Sequence, residues 1–249
     1  MTQFYEKQGL DPFEFLPLTF HIETGLEDHE YKKFEQLFLE TERQKVKAQK
    51  ILDEKKQAMG VDGYYSEDDE GEEEEWVDEQ AVYGIHVPKN VWIMKPGENS
   101  NRGNGICVVS TLKEVQKEIL SSAKRDHTHI IQKYIERPLL MHKRKFDIRV
   151  FGLLTSINGV MKGYYFDEGY LRTSSQVFSL DDLKNPIVHL TNDAIQKHDE
   201  DYCKFENANK ISYQNFQKYL DSQHKKQNFE KQGLPQIKVI AFLTLETHG

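Results

Sequence analysis

Seven consecutive residues, Lys143-Arg-Lys-Phe-Asp-Ile-Arg149, run straight into the apolar stretch Val150-Phe-Gly-Leu-Leu154, and together they constrain the fold more than any other segment. Side chains on a strand alternate between faces, which puts Lys145, Asp147 and Arg149 on one side and Phe146, Ile148 and Val150 on the other. A strand of this kind is a charged row backed by a greasy one. Two cations on one face can hold an anion such as phosphate or carboxylate, with the carboxylate orienting them or accepting from a hydroxyl. A solvated strand with a structural ion pair fits the same seven residues equally well.

The rest of the chain narrows the class. Its 249 residues are enough for one large or two small domains with a sizeable core, and 12 Tyr and 14 Phe supply apolar bulk despite 30% charged residues. The net charge of -8 argues against general nucleic-acid binding. Most of that charge sits in Glu67-Asp-Asp-Glu-Gly-Glu-Glu-Glu-Glu75, and the remainder is close to neutral. No apolar run is long enough to span a bilayer, and the N-terminus lacks the build of a signal peptide. With only Cys107 and Cys203, no CxxC and no HExxH, neither a disulfide framework nor a zinc site is indicated, and a reduced, cytoplasmic setting is the expectation.

Along the chain, Pro17 favours an extended segment over Phe13–Ile22. Tyr31, Phe34, Leu37 and Phe38 form the apolar stripe of a helix from Asp28 to Lys56, whose second half has Val46, Ile51 and Leu52 as anchors. Residues 60–82 read as a disordered acidic insertion, with Ser66 as a candidate phosphorylation site. This divides the chain into an N-terminal segment, 1–59, the insertion, 60–82, and a main domain, 83–249. Asn90–Lys95 and Ile106–Val109 read as strands flanking a glycine-rich loop that contains Arg102 and Gly103, a turn or a phosphate cradle by its composition alone. No Walker P-loop is present. Thr111 and Glu114 form a capping box that opens a helix to about Ser122. His129–Ile135 reads as a strand, residues 162–172 as a hairpin turning at Asp167-Glu-Gly169, and Ser212 as the start of a helix carrying Tyr213, Phe216 and Leu220. Pairs of strands alternating with helices predict an α+β domain rather than a doubly wound sheet.

Several pieces, in order and at matching intervals, resemble the tubulin tyrosine ligase family. They are Trp92-Ile-Met-Lys-Pro96 with Arg102-Gly-Asn-Gly-Ile106, Gln132-Lys-Tyr-Ile-Glu-Arg-Pro-Leu-Leu140, Lys145-Phe-Asp-Ile-Arg149, Gly169-Tyr-Leu-Arg-Thr173 and His189-Leu-Thr-Asn192. The likeness covers about residues 85–245. It implies an ATP-grasp-like domain that ligates tyrosine, glutamate or glycine to a tubulin tail through an acyl phosphate. It also implies ATP and Mg2+ as cofactors, the acidic tubulin tail and a free amino acid as partners, and a location on cytoplasmic microtubules or in a cilium. No nucleic-acid or membrane partner is implied.

By the same resemblance, Lys95, Arg102 and Gly103 reach or cover the ATP phosphates. Gln132, Lys133, Tyr134 and Ile135 form the hinge that reads adenine, and Lys145, Phe146, Asp147, Thr191 and Asn192 belong to the nucleotide site. Arg149 contacts phosphate or acceptor, Arg172 holds the carboxylate of the incoming amino acid, and Lys210 is a substrate-side lysine. The surroundings of Arg172 and Asn192 look closest to the tyrosine ligase itself. Lys133, Arg137, Lys143, Arg144 and Lys145 are cations available to an acidic tail. The chain departs from the family at the metal: the Glu-x-Asn that holds Mg2+ there is absent, so no metal ligand is assigned and the ATP-grasp domain reads as incomplete at its C-terminus. A noncatalytic tubulin-binding module that retains the nucleotide cleft is the alternative reading.

Overall fold

The computed structural model describes residues 9, 11–14, 16–58, 84–98, 102–122, 128–223 and 227–246; the acidic stretch and Ser66 lie outside these. Two four-stranded antiparallel sheets organise them, with strand orders β1-β4-β2-β3 and β5-β6-β7-β8. The architecture is mixed α+β, as the strand–helix alternation predicts.

The first sheet comprises β1 (Thr19–Ile22), β2 (Trp92–Pro96), β3 (Cys107–Val109) and β4 (His129–Lys133). The long helix α1 (His29–Ala58) and the shorter α2 (Leu112–Ser122) cover one of its faces. The aromatic stripe buries as its spacing requires: Phe34 is fully enclosed, with ring centroids 5.7 Å from Phe20, 5.8 Å from Phe38 and 5.0 Å from Trp92. Asn90 ties helix to sheet, donating to the Phe38 carbonyl at 2.9 Å while accepting from Trp92 Nε1 at 2.7 Å. Half of the capping box forms, Glu114 N–H donating to Thr111 Oγ1 at 3.3 Å, while the Glu114 carboxylate reaches one residue further back and accepts from Ser110 N–H at 3.2 Å. In the second half of α1 Leu52 is buried, while Val46 and Ile51 are exposed.

The second sheet comprises β5 (Leu140–Met141), β6 (Arg144–Ile157), β7 (Val160–Val177) and β8 (Lys210–Ser212). Helices α5 (Tyr213–Ser222) and α6 (Leu234–Glu246) pack on it, and Ser212 caps the first of them as predicted, accepting from Asn215 N–H at 3.2 Å. Between β7 and β8 lie two one-turn helices, α3 (Pro186–His189) and α4 (Asp193–Gln196).

The hairpin does not turn at Asp167-Glu-Gly169. It turns at Asn158-Gly159, where both residues have positive φ, 51° and 78°, the pairing a two-residue turn of mirror-image type demands. Asp167, Glu168 and Gly169 are instead a bulge inside β7, standing opposite Val150 alone. Glycine is required there, since a Cβ on residue 169 would lie 2.3 Å from the Arg149 carbonyl oxygen and 2.1 Å from Tyr213 Oη.

Candidate functional site

The two sheets meet through a small apolar cluster in which Val91, Val108 and Tyr134 pack against Phe178, Leu180 and Leu183 from the chain after β7. Because β2 alternates, the side that carries Val91 and Ile93 also carries Lys95, opposite the buried Trp92 and Met94. Lys95 Nζ donates to Gln132 Oε1 at 2.8 Å, and Gln132 Nε2 donates to Thr19 Oγ1 at 2.8 Å, so one glutamine joins three strands of the first sheet at this point. Burial lowers the Lys95 pKa from its ordinary value.

Lys145 reaches the same place from β6. Its Nζ donates to Tyr134 Oη at 2.9 Å and to the His189 carbonyl at 2.9 Å. Burial, with the Lys95 charge adding to it and Asp147 opposing, pushes its pKa down to about 8. The two ammonium groups therefore feel one another, and among the described residues neither has a carboxylate in ion-pair contact.

Further along the same face, Asp147 stands opposite Arg172 in register and binds it in a fork, Nε to Oδ1 at 2.8 Å and Nη2 to Oδ2. The hydrogen bonds to Asp147 raise the pKa of the guanidinium, so the charge is fixed in place and orientation. Lys210 is the next residue across, opposite Arg172 on β8, with its Nζ 5.6 Å from the Tyr170 ring. Arg149 is exposed, its guanidinium 5.9 Å from the Phe151 ring.

A second group borders the first. Gly103 has φ +90°, and a Cβ there would lie 3.2 Å from Ile195 Cγ1 and 3.5 Å from the Asn192 side chain, so the glycine-rich loop rests on the turn that opens α4. Thr191 is buried beside Asn192, while Arg102, also at positive φ, is exposed. Gln196 holds this turn: its Nε2 donates to the carbonyls of Ile187 at 2.7 Å and Leu190 at 2.6 Å, and its Oε1 accepts from Ser175 N–H at 2.6 Å.

Lys95, Gln132, Tyr134, Lys145, Asp147 and Arg172 are thus brought together, with Lys210 and Arg149 continuing the row and Gly103, Thr191 and Asn192 at its margin. Three other residues face elsewhere. Lys133 Nζ donates to the carbonyls of Lys89 at 2.8 Å and Val91 at 3.1 Å and pairs with Glu136, closing the end of β4. Ile135 is exposed, and Phe146 packs on Phe216, 5.1 Å between centroids, on the opposite face of β6. Arg144 is not available to an acidic tail. It is 2% exposed and forks onto Glu206, with a further bond to the Ser174 carbonyl at 3.1 Å, because its alternate position on β6 aims it into the sheet's covered side. Sequence reasoning missed His189 as a contributor, although it begins the His-Leu-Thr-Asn run that supplied Thr191 and Asn192.

Two half-buried lysines, one from each antiparallel sheet, and an arginine held by Asp147 thus make up the centre of the candidate site. The chain belongs to the tubulin-tyrosine ligase family, whose model matches residues 6–247. It is similar to tubulin glycylase 3B of Drosophila melanogaster, 45% identical over 109 residues, or 44% of this chain and 14% of that protein. The human tubulin monoglycylase TTLL3 is 44% identical over 117 residues, 46% of this chain and 15% of that protein. Its mouse counterpart is 38% identical over 165 residues, covering 64% of this chain and 18% of that protein. The chain therefore spans less than a fifth of the length of these relatives.

Proposed function

We propose that this chain binds ATP between its two sheets and serves the ligation of an amino acid to tubulin, with glycine the first candidate. The observation that carries the reading is that Lys95 of the first sheet and Lys145 of the second, both half-buried, are held by neutral acceptors, Gln132 Oε1 for the one and Tyr134 Oη and the His189 carbonyl for the other, with no carboxylate in ion-pair contact among the described residues. Like charges in a desolvated place repel, and a polyphosphate received between them converts that repulsion into attraction. The glycine candidate comes from the names of the relatives, all three of which are glycylases, whereas the residues around Arg172 and Asn192 had pointed toward the tyrosine ligase.

ATP would supply the phosphoryl group that activates a carboxylate as an acyl phosphate. Lys95 and Lys145 would hold its phosphates, with Gly103, Thr191 and Asn192 at their edge and the main chain of 132–135 beside the base. Arg172, kept straight by Asp147, would hold the carboxylate of the incoming amino acid, with Lys210 and Arg149 on the acceptor side. Gathering two anions that otherwise repel is the work such cations do in a ligation. Among the described residues no group of three His, Cys, Asp or Glu is placed to hold a metal.

Calorimetry with ATP tests the reading. Binding by the chain, weakened at least tenfold in Lys145→Ala and in Lys95→Ala with the thermal transition unchanged, is the expected result; no heat of binding overturns it. Incorporation of labelled glycine into tubulin by the chain, lost in Arg172→Ala, tests the ligation separately from the nucleotide.

A further inference from the structure

We infer that Tyr134 and His189 are positioning residues for the Lys145 ammonium, joined to it by a chain of hydrogen bonds in which the place of every proton is fixed. The chain starts at its far end. His189 Nε2 lies 2.9 Å from the main-chain oxygen of Asp182, which can only accept, so Nε2 carries the proton. In a neutral imidazole Nδ1 is then an acceptor. Tyr134 Oη, 2.8 Å away, must donate to it. With its one proton committed, the phenol oxygen presents lone pairs to Lys145 Nζ at 2.9 Å. The His189 carbonyl takes a second proton from the same ammonium, also at 2.9 Å. Two of the three ammonium protons are thereby directed, and the third is left for another acceptor.

The surroundings keep this arrangement in one state. Tyr134 is 4% and His189 2% exposed, which makes them supports rather than ligand-contacting groups. Phe178 flanks both rings, stacked on Tyr134 at 6.5 Å and edge-on to His189 at 6.0 Å. The charged and titratable groups facing Lys145 are Lys95 from β2, Asp147 on its own strand, itself held by Arg172 of β7, Tyr134 from the end of β4, and His189. Burial, with the Lys145 charge adding to it and the Asp182 main-chain oxygen and carboxylate opposing, lowers the His189 pKa and favours the neutral ring that the proton assignment needs. A long flexible lysine would otherwise swing away from Lys95; the two acceptors hold it against that repulsion.

This inference deepens the nucleotide reading and rests on it for its ligand, so the test has two arms. In the first, lysine side chains are isotopically labelled and the Lys145 signal, identified by its loss in Lys145→Arg, is followed by NMR from pH 6 to 11. Tyr134→Phe removes an acceptor of a charged donor and is expected to move the Lys145 midpoint down by about one unit. His189→Asn, which keeps an acceptor near the Nδ1 position, should stay close to wild type, whereas His189→Leu should follow Tyr134→Phe. A mere packing role predicts the reverse order, because leucine fills an apolar space better than asparagine, and that order overturns the proposal even if Tyr134→Phe fails to fold. In the second arm, Tyr134→Phe is expected to weaken ATP binding about tenfold, and Tyr134→Phe with Lys145→Ala to bind no more weakly than Lys145→Ala alone. An unchanged Lys145 titration and unchanged ATP affinity in Tyr134→Phe also overturn it. If the NMR shift appears and the wild-type chain binds no ATP, the positioning role stands and the nucleotide reading fails.

Discussion

Both sheets rest on apolar clusters, but the second adds a buried polar network that the first does not have. Behind β1, β4 and β2 the buried side chains are almost all apolar, with Phe20, Phe34, Phe38 and Trp92 ring to ring. Behind β6 and β7 an apolar cluster built on Leu171, Ile211, Phe216 and Phe229 is joined by a buried polar set, Arg144, Thr173, Ser174, Ser175, Gln196 and Asn209, with the partly buried Glu206 paired to Arg144. Asn209 shows how tightly that set is joined, since it donates to the Thr173 carbonyl at 3.2 Å and to Ser175 Oγ at 2.9 Å while accepting from Cys203 N–H at 3.0 Å. An apolar core loses stability in proportion to the volume removed, whereas a buried polar network must be complete or absent.

The sharpest way to break this comparison is to delete one member from each side. Phe34→Ala should cost about 3–5 kcal/mol by chemical denaturation. Glu206→Ala, which leaves the Arg144 charge buried without its partner, should cost about as much. The two then part company. Replacing the pair together, Arg144→Met with Glu206→Leu, should recover most of the loss, and no second substitution should do so for Phe34. A next, smaller effect is Gln196→Ala, which removes three short hydrogen bonds and should cost about 1–3 kcal/mol while loosening the turn under Gly103. Gly103→Ala should cost about 1–3 kcal/mol from its positive φ and the near contact with Ile195, measured by thermal unfolding.

The smallest effect is a pH dependence confined to the second sheet's border. Burial holds the His189 pKa below its ordinary 6.5, so between the folded value and 6.5 the unfolded chain binds more protons than the folded one. Stability should therefore fall as pH drops through that window and be flat with respect to this group above it. His189→Leu should remove that part of the slope in denaturation curves taken from pH 5 to 8.

What could be read from the sequence follows the same division. The stripe Tyr31, Phe34, Leu37 and Phe38, the Thr111–Glu114 cap and the alternation at Lys145–Arg149 are local patterns, and each appears where its spacing places it. Arg144 and Glu206 are 62 positions apart, and a lone arginine or glutamate is ordinarily a surface residue, so nothing local marks them as buried partners. The hairpin is a different case: Asn158-Gly159 is a strong turn signal, but the acid-glycine sequence at 167–169 competes with it, and only the pairing register decides between a turn and a bulge. At the site, Lys95, Lys145 and Arg172 were legible as cations, yet the role of Tyr134 was not. Its main chain had been assigned to a hinge, while its side chain is committed to Lys145 by a partner on another element.

The pairing of β1 with β4 brings Thr19 and Gln132 together across 113 positions, and the acidic stretch lies within the loop so closed. The entropy of closing a loop grows only with the logarithm of its length, about 0.6 kcal/mol per doubling. Adding or removing some twenty residues between α1 and β2 should thus shift the equilibrium by less than about 1 kcal/mol, which leaves that stretch open to change length and composition at little cost to the sheet it bridges.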